Sequence, residues 1–255
     1  MFTNTNFIFN DIPSEKFGLQ IGFMGNGGTG ESYSGITQEI EEIKIKRNDT
    51  PLFFGTEKVG KIEFDILIYS EIEIDTFDRQ AIDRWLFLNE YKYFQIEQQD
   101  YSGLFFNCIM TNAKKITVGN IPYAKMVHVV CDSPYAYTDE YTYIYTSTST
   151  PSNIDIVNLS NINEYIYPNL TILTTSSGDV QITNNEETRI FLVSDLYNAE
   201  TLTVDNKLKI LTTNGVTERV SDFNKNWFRF APDENSITLT GNFELTITVR
   251  YLMTI

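Results

Sequence analysis

The sequence predicts a mainly β protein of the α+β class, with a front half that mixes strands and one helix and a back half of strands alone. Three observations carry this. Fifteen Tyr, eighteen Phe and many Ile and Thr are residue types that suit a pleated, half-buried surface. A single window, residues 76–89, repeats its apolar residues convincingly at helical spacing. Beyond residue 150, short apolar runs succeed one another at even intervals, separated by turn residues and by no helical window, which is the pattern of a sandwich or jelly roll.

In the front half, residues 17–23 alternate well enough for a strand, and residues 61–69 (KIEFDILIY) set Ile62, Phe64, Ile66 and Ile68 on one face. The segment 36–47 fits helix and strand equally. In the helical window, Ala81, Ile82, Trp85 and Leu86 make one apolar stripe, while Asp78, Arg79, Asp83 and Arg84 take the wet side. Asp75 or Thr76 suits the N-cap, and Asp78 in the first turn faces the positive end of the helix dipole. Strands resume over 91–97, 104–118 and 121–131, with Gly119-Asn120 as a two-residue hairpin signal between the last two. Strands this long are expected to run past their sheet as an arm.

Ser133-Pro134 stops that run, and Thr146-Ser147-Thr148-Ser149-Thr150-Pro151-Ser152 is the most linker-like stretch of the chain. The division expected is 1–133 and 134–255. Strands are predicted over 154–159, 169–174, 180–183, 189–193, 201–204, 207–211, 227–230, 236–239 and 244–252. Ser177-Gly178, Asp205-Asn206, Asn214-Gly215 and Gly241-Asn242 supply turns between them.

A chain of 255 residues and 29.4 kDa fits one large or two ordinary domains. With 42% hydrophobic and 21% charged residues it can bury real cores. A net charge of −15 excludes broad electrostatic attraction to nucleic acid or anionic lipid. Leu104-Phe105-Phe106-Asn107-Cys108-Ile109-Met110, among the longest apolar runs, is strand-sized against the roughly 18 residues a membrane span needs. Met1-Phe2-Thr3-Asn4-Thr5-Asn6 has neither a basic nor an apolar segment of a secretory signal, so synthesis in a cytosol is expected. Cys108 and Cys131 have no zinc-site spacing; as a pair they could form one disulfide, but both sit in apolar strand-like runs and read rather as buried free thiols.

Few residues of the chain point to chemistry. Gly25-Asn26-Gly27-Gly28-Thr29-Gly30 satisfies G-x-G-x-x-G on paper. The next residues, Glu31-Ser32-Tyr33-Ser34-Gly35, are a further glycine-punctuated loop rather than an opening helix, and no run of βαβ units comes after them. The segment reads as a surface loop or one ordered by a partner. His128, the one histidine, would have to be the base of any Ser-His-Asp or Cys-His site, yet its parity within Met126-Val127-His128-Val129-Val130 places it on the outward strand face. One histidine forbids a multi-histidine metal site. The acids Glu39, Glu41, Glu42, Glu71, Glu73, Asp139, Glu140, Glu186 and Glu187 read as solvated faces, although two of them could flank a glycosidic bond. In Asn226-Trp227-Phe228-Arg229-Phe230, alternation separates the Phe pair from Trp227 and Arg229. Either Trp227 and Arg229 share an exposed face for sugar stacking or protein docking, or Trp227 is inside and Phe228 lies at an interface.

Several stretches then fall into a familiar order: Arg47 leading to Pro51-Leu52-Phe53-Phe54-Gly55, the helix with Arg84-Trp85-Leu86, and the strand into Val129-Val130-Cys131-Asp132-Ser133-Pro134-Tyr135-Ala136-Tyr137. Last comes Pro232-Asp233-Glu234-Asn235-Ser236-Ile237. Over almost the whole chain this order resembles the distal tail proteins of long-tailed bacteriophages, of the siphophage type and related prophage tail components. The final stretch is similar to that family's Pro-Gly-x-Asn-x-Ile turn, with Asp233 in place of Gly.

The resemblance implies an N-terminal domain related to tail-tube proteins that closes into a six-fold ring. It also implies a galectin-like C-terminal β-sandwich on the outside of the ring, whose final strand can return to the first domain. Such a hub joins the tail tube to the baseplate or tail tip of the virion and is assembled in the host bacterial cytoplasm. It binds tube protein on one side and tail-associated, fibre or receptor-binding proteins on the other, and leaves a channel through which DNA passes without specific binding. No enzyme activity, cofactor, metal or membrane contact is implied. The expected interface residues are Gly25, Gly27, Gly28, Gly30 and Tyr33 of the glycine-rich loop, Gly119 and Asn120 of the long hairpin, and Trp227 and Arg229 of the sandwich. Galectin-type sugar sites need a strand histidine near an Arg and a Trp platform; His128 lies ahead of residue 134, so the sandwich is expected to dock protein rather than sugar. A carbohydrate-binding adhesion module, another tail-tube or baseplate component, and a glycosidase using Glu71 and Glu73 are the alternatives.

Overall fold

The computed structural model describes residues 5–22, 37–46, 49–116, 121–215 and 218–255. Among them the chain is mostly antiparallel β and forms two compact units, Met1–Tyr137 with Thr254–Ile255, and Thr138–Met253.

The first unit contains β1 (Phe7–Phe9), β2 (Ile12–Pro13), β3 (Gln20–Gly22), β4 (Thr37–Ile43), β5 (Leu52–Val59), β6 (Glu63–Ser70), helix α1 (Thr76–Leu86), β7 (Lys92–Ile96), β8 (Phe106–Lys115) and β9 (Tyr123–Cys131). Seven of these strands make one sheet in the order β2-β1-β7-β8-β9-β6-β3. Phe64, Ile66 and Ile68 of β6 and Val127 and Val129 of β9 sit on its core face, as strand alternation demands. On the other face Leu67 and Tyr69 are buried as well, because Ile116 and Ile121 fold back over them and Ala124.

Helix α1 forms where the sequence predicts. The Asp75 carboxylate accepts the Asp78 backbone N–H at 2.8 Å as N-cap. Ile82, Trp85 and Leu86 are buried, and the Trp85 ring stacks on Phe7 at 5.6 Å while its Nε1 donates to the Phe9 carbonyl at 2.9 Å. The helix stops at Leu86, short of the expected residue 89, because the apolar stripe ends there. Of the expected strand 17–23, residue 23 lies outside the described residues and 20–22 form β3; Ser14–Phe17 is a 3-10 turn closed by Gly18 at φ 62°.

The second unit is a two-sheet sandwich. The remaining strands are β10 (Ala136–Ser147), β11 (Ser152–Asn158), β12 (Asn169–Thr174), β13 (Gly178–Asn184), β14 (Arg189–Leu196), β15 (Thr201–Asp205), β16 (Ile210–Thr213), β17 (Asp233–Thr240) and β18 (Phe243–Met253). One sheet has the order β10-β18-β12-β15-β16, the other β11-β17-β13-β14. Ile172, Leu202 and Ile247 from the first meet Ile182, Val193 and Leu239 from the second in one buried core. The linker-like stretch 146–152 is the end of β10, the turn at 148–151 and the first residue of β11.

Two strand predictions fail here. Residues 207–211 begin as a turn, with the strand delayed to Ile210. Residues 227–230 carry only an isolated bridge, Phe230 to Ile166. The turn ahead of β17 keeps the shape a glycine would allow: Asp233 takes φ 64°, and buried Asn235 holds it by accepting the Ala231 N–H at 2.7 Å and donating to the Asp233 carbonyl at 3.1 Å.

Candidate assembly interface

Among the described residues, strands β4 and β5 pair only with each other, as a two-stranded ribbon outside the main sheet. Directly paired residues share a face of such a ribbon. Ile40, opposite Thr56, and Phe53, opposite Glu42, stand on one face; Ile43 and Leu52, opposite each other, stand on the reverse. All four are largely in water, at 63%, 65%, 58% and 48% exposure, and the adjacent Phe54 is 61% exposed. A register shift between Glu41 and Glu42 leaves Phe54 as the extra residue of a bulge, and Gly55 beside it takes φ 147°, a conformation that favours glycine. An isolated two-stranded ribbon is marginal in water, and each large side chain it exposes gains roughly 1.5–3 kcal/mol when fully buried. Nothing within the described residues covers either face.

This ribbon is the feature that sequence reasoning missed. Its apolar residues fall on both faces, so β4 lacks the alternation a half-buried strand shows, and the three-residue spacing of Ile40 and Ile43 imitates a helix. The signal that could have revealed it is the turn-forming Asn48-Asp49-Thr50-Pro51 between two apolar-rich runs. The arm expected of 104–131 is not where the exposed ribbon lies. At the described end of β8 and β9, Ile116 donates to the Ala124 carbonyl at 3.0 Å and packs back onto the sheet.

Of the expected interface residues, Gly25, Gly27, Gly28, Gly30, Tyr33, Gly119 and Asn120 lie outside the described residues. Trp227 and Arg229 are described and do not form one open platform. Trp227 packs edge-on against Phe223 at 4.8 Å and against the sandwich core, while its carbonyl accepts from Arg189 Nε at 3.1 Å. Arg229 clasps Glu187 with Nε and Nη2 at 2.8 and 2.7 Å and lies 3.6 Å from the centre of the Tyr165 ring. Burial pushes the Glu187 carboxyl up, but the hydrogen bonds from Arg229 and Tyr165 and the charges of Arg229 and Arg189 together overcome it and hold the carboxyl below its ordinary range. Phe228 and Phe230 point into the core.

His128 is one-third exposed, with Nδ1 2.8 Å from Asp65 and Nε2 3.7 Å from Glu63. Both ring nitrogens thus face carboxylates rather than a hydroxyl or thiol nucleophile. Glu71 and Glu73 are exposed. Among the described residues no group of three or more His, Cys, Asp or Glu side chains is placed to hold a metal ion.

A nearly fully buried ion cluster joins Arg219 to Glu200. Nε and Nη2 of the guanidinium donate to the two carboxylate oxygens at 2.8 Å each, and Nη1 donates to Asp222 at 2.9 Å. Thr213 Oγ1 and the Tyr197 N–H complete the carboxylate's shell at 2.7 and 3.0 Å. The Arg219 hydrogen bonds are the main cause that brings the Glu200 carboxyl down to about 2. The cluster ties Thr213, Arg219 and Asp222 to Glu200 of the sandwich.

Residues 2–133 match the family model described as phage tail protein N-terminal domain, and residues 135–249 match that of a phage tail C-terminal domain. No curated protein matches the chain. Among solved structures, the SPP1 Dit (gp 19.1) protein, described as a paradigm of hub adsorption apparatus in Gram-positive infecting phages, is 12% identical. The match covers 98% of this chain and 100% of that one, with a TM-score of 0.65. Two structures of the phage P2 baseplate in its activated conformation, one with Ca and one with Sr, each contain a chain that is 9% identical with a TM-score of 0.52. They cover 96% and 97% of this chain, and 98% of theirs.

Proposed function

The chain belongs to the phage tail protein family that those two domains define, and from this premise we propose that it is a distal tail hub. Six copies close into a ring that joins the tail tube to the baseplate or tail tip and leaves a channel for DNA. The observation that carries this reading is the β4–β5 ribbon, which exposes apolar side chains on both faces and needs a neighbour to cover them. A protruding element of one copy seated on a different surface of the next is a heterologous contact, and repeated rotation by such a contact closes a ring. The fold shared with the SPP1 Dit protein along the full chain supports the same reading.

In this reading the partners are the tail tube protein on one side and tail-associated, fibre or receptor-binding proteins on the other. DNA transits without specific binding: at −15 per copy, six copies carry about −90, and an acidic channel wall repels phosphate. The sandwich serves as a protein-docking module, since Trp227 is packed inward and Arg229 is already engaged by Glu187 and Tyr165. The role is structural and calls for neither catalysis nor a cofactor. The ring assembles in the host cytoplasm and functions in the virion tail.

Native mass measurement over a range of concentrations, alone and with tube protein, tests this. The expected result is a discrete six-fold species that a Phe53→Ser, Phe54→Ser double variant fails to form. Because both side chains are exposed, that variant should melt like the wild type. A wild-type chain that stays monomeric throughout overturns the proposal, and so does a ring indifferent to the double variant.

A further inference from the structure

Cys108 and Cys131 stand directly opposite each other on β8 and β9, adjacent central strands of the first unit's sheet. Their neighbours define which kind of pair they are. The Asp132 N–H donates to the Asn107 carbonyl at 2.9 Å, so residues 107 and 132 are hydrogen-bonded partners, and the next pair along an antiparallel ladder is not hydrogen-bonded. Such a pair brings its Cα atoms to about 4.5 Å with both side chains on one face, inside the roughly 4.4–6.8 Å window a disulfide spans. Both thiols are fully buried and free. They are near enough for Cys131 to help raise Cys108, although burial is the larger cause. Their place on the ladder also matters. Cys131 is the last residue of β9 and Cys108 the third of β8, and the ladder continues past them through the bond between Asp132 and Asn107, so an oxidant meets the thiols when this part of the sheet opens or while the chain refolds.

We propose that Cys108 and Cys131 are a disulfide-forming pair, closed by a low-molecular-weight disulfide such as oxidised glutathione. The thiolate of one cysteine attacks a sulfur of the small disulfide, forming a mixed disulfide and releasing one glutathione thiolate. The second cysteine, as thiolate, then attacks the protein-bound sulfur and releases the other glutathione. The two protein thiols are oxidised by two electrons, the small disulfide is reduced by two, and the two thiol protons pass to the departing glutathiones. In a cytosol the pair stays reduced; where the oxidant prevails, the bond staples the middle of the sheet. Only the setting, a particle that leaves its host, rests on the hub reading; the pairing itself does not.

The test uses the full-length reduced protein, equilibrated at mildly alkaline pH with glutathione of graded oxidation, once folded and once during refolding from urea. Expected is a monomer lighter by two hydrogens, a linked pair of peptides carrying Cys108 and Cys131, and a melting temperature several degrees above that of the reduced form. In a Cys108→Ser variant, Cys131 should retain a single glutathione instead. The proposal is overturned if the wild type ends as stable glutathione adducts or as cross-linked dimers, or if both thiols titrate as free after refolding at the most oxidising ratio. None of these results depends on ring formation, so the hub reading stands or falls separately.

Discussion

Replacing Arg219 by Met tests how the sandwich holds Arg219 and Asp222 against Glu200. Arg219 and Glu200 side chains are 4% and 2% exposed, so removing the guanidinium strands a buried carboxylate with only Thr213 and the Tyr197 N–H as donors. Breaking one partner out of a buried pair of this kind costs about 3–5 kcal/mol. Titration leads to a similar figure by another route. The Glu200 carboxyl sits at about 2 in the fold, against about 4.3 in an unfolded chain, and that difference corresponds to roughly 3 kcal/mol. Because the folded value is the lower one, this stabilisation is fully present above about pH 5 and drains away as pH falls toward 2. Urea unfolding followed by the fluorescence of Trp227, with Trp85→Phe removing the only other tryptophan, reports on this unit. Arg219→Met should lower its stability by about 3 kcal/mol at pH 7 and flatten the loss between pH 5 and 3. A loss below about 1 kcal/mol, the level of an exposed ion pair, or an unchanged pH profile would refute the reasoning.

Asp233→Gly should raise stability by about 0.5–1 kcal/mol in the same assay, since φ 64° strains an Asp more than the glycine's extra chain entropy costs. Asn235→Ala should lower it by about 2–3 kcal/mol, because the Ala231 N–H loses its acceptor and the Asn184 amide keeps only the Arg229 carbonyl. Lys125→Met, which breaks the pair with half-exposed Asp83 on α1, should cost under about 1 kcal/mol by thermal melting. Titration of the whole chain with galactoside-bearing glycans should show no saturable binding. Binding that disappears in Trp227→Ala would instead restore the carbohydrate reading.

Much of this protein was legible from its residues because burial imposes a period. Where one face of an element meets a core, as in residues 61–69, 169–174 and the Trp85 helix, the apolar spacing and the observed elements agree closely. The all-β character of the second half came from the same signal. Tertiary structure decided the rest, where no single buried face exists to impose a pattern. Among the described residues nothing covers either side of the β4–β5 ribbon, so no buried face constrained its alternation to read as a strand. Residues 227–230 alternate like a strand, yet only Phe230 finds a bridge partner, because neighbouring strands and not local spacing determine whether an extended segment joins a sheet. The facing of Cys108 and Cys131, the clasp of Arg219 on Glu200 and the inward turn of Trp227 are likewise matters of register and packing between segments distant in the chain. A one-dimensional pattern carries each segment's preference for inside or outside; it does not carry which other segment will lie beside it.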